Sequence, residues 1–215
     1  MRGGALIVIA KAPVPGRVKT RLCPPCTPEQ AAALAEAALA DTLAAVARTP
    51  AARKVCVLDG EPGRWLPGGF EVVPQRGAGL DERLASAFQD VGGPALLVGM
   101  DTPQLTPTLL GDGLDALGRP GVDAVLGLAP DGGYWAVGLR RADRELFEGV
   151  PMSTSRTGAA QRTRLLEAGL RVRLLPELRD VDTIADAHVV AREAPRGGLF
   201  AAALAGLGHP AVVTP

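Results

Sequence analysis

Ala5-Leu-Ile-Val-Ile-Ala-Lys-Ala-Pro-Val-Pro-Gly-Arg-Val-Lys-Thr-Arg-Leu22 is the stretch that decides the fold. Its opening apolar run reads as a strand of the kind buried on both faces of a parallel sheet. The strand runs straight into a loop carrying Lys11, Gly16, Arg17, Lys19 and Arg21. Glycine lets a backbone come close to a ligand, and four cations surround the loop, which suits an anion. Lysine usage sharpens the point. Of 23 basic residues, only Lys11, Lys19 and Lys54 are lysines, and two of those three fall in this loop. A compact ammonium and a planar guanidinium are not interchangeable around phosphate. The carboxyl end of a strand is also where open α/β sheets bind ligands.

Outward from that loop the pattern alternates strand and helix. Thr27, Pro28 and Gln30 make an N-terminal signature for a helix reaching about Arg48. Strands are expected over 54–58, 70–74 and 95–100, with a helix over 80–91 between the last two. Thr106-Pro107 starts another helix, and strands over 122–128 and 134–139 flank Pro130-Asp-Gly-Gly133. A helix over 157–168, a strand over 170–175 and a helix opened by Thr183 follow. The alternation predicts an α/β fold, a mostly parallel mixed sheet with helices on both faces. One domain is expected over 1–194, and 195–215 reads as a short helix at 199–207 with a loose tail.

Composition narrows the function classes. The 215 residues carry 23 basic and 23 acidic side chains, and a net charge of zero argues against a nucleic-acid scaffold. No apolar run is read as long enough for a membrane span of about 20 residues. Leu6–Ala10 is too short for the apolar core of a secretory leader, so the chain reads as cytoplasmic. Cys23-Pro-Pro-Cys26 lacks a second paired motif, with only Cys56, His188 and His209 elsewhere. A structural zinc site needs four ligands, so the pair reads as a proline-stiffened turn with two free thiols.

Acidic residues stand where strands end. Asp101 follows Leu96-Leu-Val-Gly-Met100 and reads as a ligand for a hard cation, which prefers oxygen donors. Asp180-Val-Asp-Thr183 follows the late strand in the same way. Asp182 is the expected second carboxylate, with Asp180 a neighbour that orients it, although Asp182 or Thr183 also makes a good N-cap. In Asp131-Gly-Gly-Tyr-Trp135, Asp131 can accept from hydroxyls or amines, and the glycines would admit a substrate to the backbone; a plain hairpin turn also explains them. Gln75-Arg-Gly-Ala-Gly79 offers an amide that could meet a nucleobase edge.

Three of these segments, Lys11–Leu22, Gly99–Pro103 and Asp131–Trp135, together resemble the DUF2064 family, also called rSAM/selenodomain-associated transferase 1. The likeness spans about residues 5 to 190. That family is similar to the nucleotide-diphospho-sugar transferase superfamily with its GT-A-type fold, and to 2-phospho-lactate guanylyltransferases. The resemblance implies that Arg17, Lys19 and Arg21, with Lys11 and Gly16 of the same loop, hold nucleotide phosphates. It implies that Gln75 and Gly79 line the base site, that Asp101 and Asp182 bind Mg²⁺ or Mn²⁺, and that Asp131 and Gly132 meet the second substrate. The loop departs from the Gly-Gly-x-Gly-Thr-Arg form of sugar nucleotidyltransferases, and Met152-Ser-Thr154 lacks the aromatic expected before Ser-Thr.

The expected activity is transfer of a nucleotide from an NTP to a phosphorylated or phosphonate metabolite, with release of pyrophosphate. Cations and a divalent ion neutralise the leaving group there. A phosphate nucleophile is already ionised, in keeping with the lack of histidine in any motif. The alternative is a glycosyltransferase using an NDP-sugar, with Asp131 as base, although Gly99-Met-Asp-Thr offers one carboxylate where Asp-x-Asp is usual. A third is a nucleotide-binding protein without turnover.

Overall fold

The computed structural model describes residues 3–207. In chain order the elements are β1 (Ala5–Lys11), α1 (Pro28–Arg48), β2 (Arg53–Asp59), β3 (Glu71–Pro74), α2 (Leu80–Val91), β4 (Ala95–Val98) and α3 (Pro107–Gly118). They continue with β5 (Ala124–Leu128), β6 (Tyr134–Leu139), α4 (Thr157–Glu167), β7 (Val172–Leu174), α5 (Ile184–Glu193) and α6 (Leu199–Gly206). Two single 3₁₀ turns, at Thr20–Leu22 and Arg144–Leu146, add to what the sequence predicts. The tail beyond 207, with His209, lies outside the described residues.

The seven strands form one sheet in the order β3-β2-β1-β4-β6-β5-β7. β6 runs antiparallel to β4 and β5, and the other strands run parallel to one another. This is the expected mixed α/β sheet. β4 and β5 are shorter than predicted, because Gly99-Met100 and Val122-Asp123 leave the ladder at their ends. β1 shows why such a run is buried. Leu6, Val8 and Ala10 face one core with Leu39, Leu43 and Leu110, while Ala5 and Ile7 face the other with Leu84 and Phe88. Side chains alternate along a strand, so an apolar run without polar interruption needs a helix layer on each side.

A third core lies under the C-terminal helices and joins Leu22, Leu34, Val181, Val190 and Phe200. Thr27 and Thr183, read from the sequence as helix starts, are the N-caps of α1 and α5. Thr27 and Gln30 form a reciprocal capping box, and Thr183 does the same with Asp186. One expectation needs correcting: α1 has 21 residues and is long and apolar enough to cross a membrane by length and composition. It is an interior helix, with 61% of that window buried inside the fold.

The start of α6 is capped from a distance. Gly198 has no side chain to cap it, and Asp41 in the middle of α1 supplies both acceptors. Its Oδ1 accepts from the Leu199 N–H at 2.9 Å and its Oδ2 from the Phe200 N–H at 2.9 Å. A carboxylate at a helix N-terminus satisfies otherwise orphaned donors and complements the helix dipole. Asp41→Ala is therefore expected to cost about 1–2 kcal/mol. In a chain of this size that lowers the melting temperature by about 2–8 °C. Faster amide exchange at Leu199 and Phe200 than at the middle of α1 would localise the loss; an unchanged melting temperature would refute the capping role.

Candidate functional site

The chain moves outward from β1 to β2 and β3, then returns to lay β4 against the free side of β1. The connections after β1 and β4 therefore diverge at their carboxyl ends and leave a crevice, the usual ligand position in open α/β sheets. An open cleft of about 1070 Å³ occupies that edge. Lys11, Arg17, Lys19, Arg21, Gln75, Asp101, Asp131 and Asp182 line it, so most of the predicted site residues converge there from distant parts of the chain.

At its centre, cations of the β1 loop meet acids from two other segments. Val18 is buried against Ala32 and Ala35 of α1, which anchors the loop between Arg17 and Lys19. Lys19 itself adopts left-handed backbone, with φ of 46°. Its Nζ donates to Asp101 Oδ2 at 2.7 Å and to Asp182 Oδ1 at 3.1 Å. Arg21 Nη1 donates to the other oxygen of Asp182 at 2.8 Å. Burial works against charge on Lys19, but Asp101 and Asp182 outweigh it and hold the ammonium above its ordinary range.

The acids are positioned by backbone. The Val181 N–H donates to the Asp101 carbonyl at 3.0 Å, and the Val181 side chain is buried in the third core. In extended chain, neighbours of an inward residue face the other way. Asp180 and Asp182 both line the cleft as a result. Asp101, Asp180 and Asp182 each offer an oxygen, and these atoms lie within 4.8 Å of one another. Three clustered hard oxygen donors fit a divalent cation.

Asp180 thus joins the set directly, where its sequence position implies only an orienting place. Burial first, and then the carboxylates of Asp101, Asp131 and Asp182, push its carboxyl up to about 7, with Lys19 opposing. The acid-Val-acid alternation is the sequence signal that places it on the side of Asp182; the approach of Asp101 completes the group.

Other predicted residues take different places. Gly16, with φ of 74°, turns the β1 loop, and a side chain there would meet nothing within 4 Å. Gly79 is the N-cap position of α2. Gly132 does not open the backbone to a substrate: a Cβ there would sit 1.9 Å from the Ser155 carbonyl oxygen. Its own carbonyl accepts from the Gly158 N–H at 2.8 Å, so the glycine is used to dock the start of α4 on the hairpin turn. None of these three glycines lines the cleft.

Asp131 does line the cleft, with one oxygen accepting from the Gly133 N–H at 2.8 Å and no ion pair among the described residues. Trp135 is core, its indole N–H donating to the Pro176 carbonyl at 3.1 Å. Tyr134 lies at the cleft wall and donates to Gln161 Oε1 at 3.3 Å. Cys23, Cys26 and Cys56 are free thiols, and the acid cluster is the group of metal-ligating type among the described residues.

The charge of the cleft is divided. Its cations come from the β1 loop and from Arg83 of α2. The β5–β6 turn and the 152–157 segment contribute Asp131, Tyr134, Met152 and the hydroxyls of Ser153, Thr154, Ser155 and Thr157. No lysine or arginine lines that second half among the described residues.

Comparison with known proteins agrees with this architecture. Residues 31–154 match the model of a family described as "Uncharacterized protein conserved in bacteria (DUF2064)". No curated protein matches the sequence. Among solved structures, the chain is similar to a "putative nucleotide-diphospho-sugar transferase" from Desulfovibrio desulfuricans G20, with 28% identity, TM-score 0.82, and coverage of 95% of this chain and 93% of the other. CMP:2-keto-3-deoxy-manno-octonic acid synthetase complexed with CTP has 13% identity and a TM-score of 0.57 over 87% of this chain and 96% of its own. A nucleotidyl transferase from Methanothermobacter thermautotroptrophicus has 17% identity and a TM-score of 0.57 over 87% and 95%. The last two likenesses are of fold.

The acid cluster yields a prediction of sign. In the metal-free protein Asp180 keeps its proton up to about pH 7, whereas the unfolded chain loses it near 3.8. The folded state therefore binds more protons in that window, and this group's contribution to stability falls as pH rises from about 4 to about 7. At pH 8 with chelator, Asp180→Asn is expected to raise the melting temperature by about 2–4 °C, roughly 1 kcal/mol after solvent screening. The same variant should lose most of the stabilisation that Mg²⁺ or Mn²⁺ gives the unmodified protein, a stabilisation that grows with pH through about 7 because the ligand must be deprotonated. A melting temperature lowered at pH 8, with the cation response intact, would refute the assignment.

Proposed function

The chain belongs to the DUF2064 family, and from that premise and its cleft we propose that it is a divalent-cation-dependent transferase with a nucleotide donor, most simply a nucleotidyltransferase. The observation that carries this reading is the meeting of Lys19 and Arg21 with Asp101 and Asp182 at the sheet's switch point. Opposite charges built into one cleft suit a ligand that brings its own phosphates and a cation together. Four cations, Lys11, Arg17, Lys19 and Arg21, line the same half, enough to face a triphosphate. Asp101, Asp180 and Asp182 are the residues that would hold Mg²⁺ or Mn²⁺, which would supply charge neutralisation between donor and nucleophile.

In this reading Arg17, Lys19 and Arg21 bind the β- and γ-phosphates and stabilise the charge that develops on departing pyrophosphate. An oxygen of the acceptor attacks the α-phosphorus, and the bond to the pyrophosphate oxygen breaks. A phosphorylated or phosphonate acceptor arrives ionised and leaves no proton to be moved. The hydroxyls of Ser153, Thr154, Ser155 and Thr157 are the donors available to hold it.

One observation favours a second reading. Asp131 faces the cleft without an ion pair, in a half that no cation lines among the described residues. That surface suits an acceptor hydroxyl whose proton Asp131 takes, as in glycosyl transfer from an NDP-sugar. The product separates the two. Pyrophosphate released in proportion to acceptor consumed is the expected result, and release of a nucleoside diphosphate would establish the glycosyl route. Asp101→Asn should lower turnover by about two orders of magnitude or more. Turnover unchanged in that variant, or unaffected by chelation, would refute the metal-dependent reading.

A further inference from the structure

The wall of the cleft formed by β1, β2 and β3 holds a network that phosphate binding does not use. Gln75, just past β3, spans three strands. Its Nε2 donates to the Ala10 carbonyl of β1 at 2.7 Å and to the Val57 carbonyl of β2 at 3.3 Å. Both amide hydrogens are thereby engaged, so Gln75 has no donor left for the base edge that its sequence position suggested it would meet. Its Oε1 faces Arg83 of α2 instead and accepts from Nη1 at 3.3 Å.

Arg83 is pinned from several sides. Nε donates to the Gly77 carbonyl at 3.2 Å, and Nη1 also reaches Asp59 Oδ2, at the end of β2, at 3.4 Å. The Gly77 carbonyl can come so close because a Cβ at Gly77 would lie 2.9 Å from the Arg83 backbone nitrogen, a contact only glycine avoids. Arg83 lines the cleft, and its Nη2 has no protein partner among the described residues. Leu80, one turn earlier on α2, is 42% exposed and lines the same wall.

Position decides which part of a nucleotide meets this guanidinium. Asp101 follows β4, and Asp59 ends β2, two places away in the sheet order. Two strand spacings are about 10 Å. If phosphates lie at Lys19 and the acid cluster, the group at Arg83 is at the far end of the donor. Leu80 offers that end an apolar surface and Arg83 offers it donors only.

We propose that Arg83, held rigid by Gln75, Asp59 and Gly77, is the residue that selects the nucleobase, and that the donor carries a base with an exocyclic carbonyl oxygen, guanine, cytosine or uracil, and not adenine. This rests on the nucleotide-donor reading above. A guanidinium has no acceptor. Guanine presents O6 and N7 side by side, and both pyrimidines present carbonyl oxygens. Adenine's N1 and N7 each flank the 6-amino group, so its own N–H would face the cationic fork. No carboxylate on this wall lines the cleft to receive that amine.

The test is ligand-induced thermal shift and titration with ATP, GTP, CTP and UTP, and with inorganic pyrophosphate, each with Mg²⁺. At least one of GTP, CTP and UTP should bind about 10- to 100-fold more tightly than ATP, the range that one hydrogen bond from a charged group supplies. Arg83→Ala should level the four nucleotides while the pyrophosphate response persists. Arg83→Gln removes the charge and adds an acceptor and should also lose discrimination, which serves if the alanine variant folds poorly. ATP binding as tightly as the best of the others, or discrimination surviving in Arg83→Gln, overturns the proposal. A protein that responds to pyrophosphate but gains nothing from any base overturns it alone. One that responds to neither nucleotides nor pyrophosphate overturns the nucleotide reading beneath it.

Discussion

Three carboxylates held within 4.8 Å of one another are the constraint on which the rest of the structure turns. Like charges at that spacing repel, and burial raises the cost further. The chain contains the repulsion in two ways. Lys19 inserts an ammonium between Asp101 and Asp182, and Asp180 keeps its proton to about pH 7. Neither device would hold without rigid backing. The Val181 N–H ties the two acidic segments together through the Asp101 carbonyl, and the side chain of Val181 locks into the third core. Leu22, directly after Arg21, is fully buried in that same core. The cationic and anionic arms of the site are therefore fastened to one apolar cluster, roofed by α5 and α6. Phe200 and Leu204 of α6, a helix that does not line the cleft, thus help set the geometry of the charges.

This arrangement also explains a lysine where arginine is the habit of the chain. A compact ammonium with three rotatable donors can serve two carboxylates at 2.7 and 3.1 Å. A planar guanidinium is suited to one carboxylate at a time. Arg21, reaching only Asp182 from a more exposed position, shows the second kind of contact. The Lys19 ammonium sits on the oxygens a divalent ion would use, so cation and lysine compete for them. If Asp101 and Asp182 held a cation, a phosphate of the proposed donor would be the anionic partner left for Lys19.

Much of this was legible in the sequence because it is local. Thr27, Thr106 and Thr183 announce their helices within four residues, and the apolar runs of β1 and β4 announce strands buried on both faces. Asp101 and Asp182 were readable because acids at strand ends face a crevice in this class of sheet. What escaped the sequence depends on contacts between distant residues. Asp41 caps a helix 158 residues away, Gln75 spends its amide on strands β1 and β2, and Gly132 is dictated by the approach of Ser155. In each case the residue type was noticed or unremarkable, and only the partner revealed its purpose. Asp180 is the intermediate case. Alternation around Val181 put it on the same side as Asp182, but a third ligand could be recognised only once Asp101 stood opposite.

The net charge of zero conceals a strongly divided surface. Cations crowd the β1 side of the cleft, acids its centre, and neutral hydroxyls with Asp131 its far side. A ligand is sorted along this axis by charge before any specific contact is made. In the proposed reading phosphates would be drawn to the β1 loop, a metal to the acids, and the uncharged end of the donor would be left against Leu80 and Arg83. The half lined by Asp131 and the hydroxyls has no lysine or arginine among the described residues, so in the proposed reading an anionic acceptor would rely on the donor complex for its attraction. In the proposed reading such a division would impose an order, with the donor and its cation completing the electrostatics of the site before the second substrate binds.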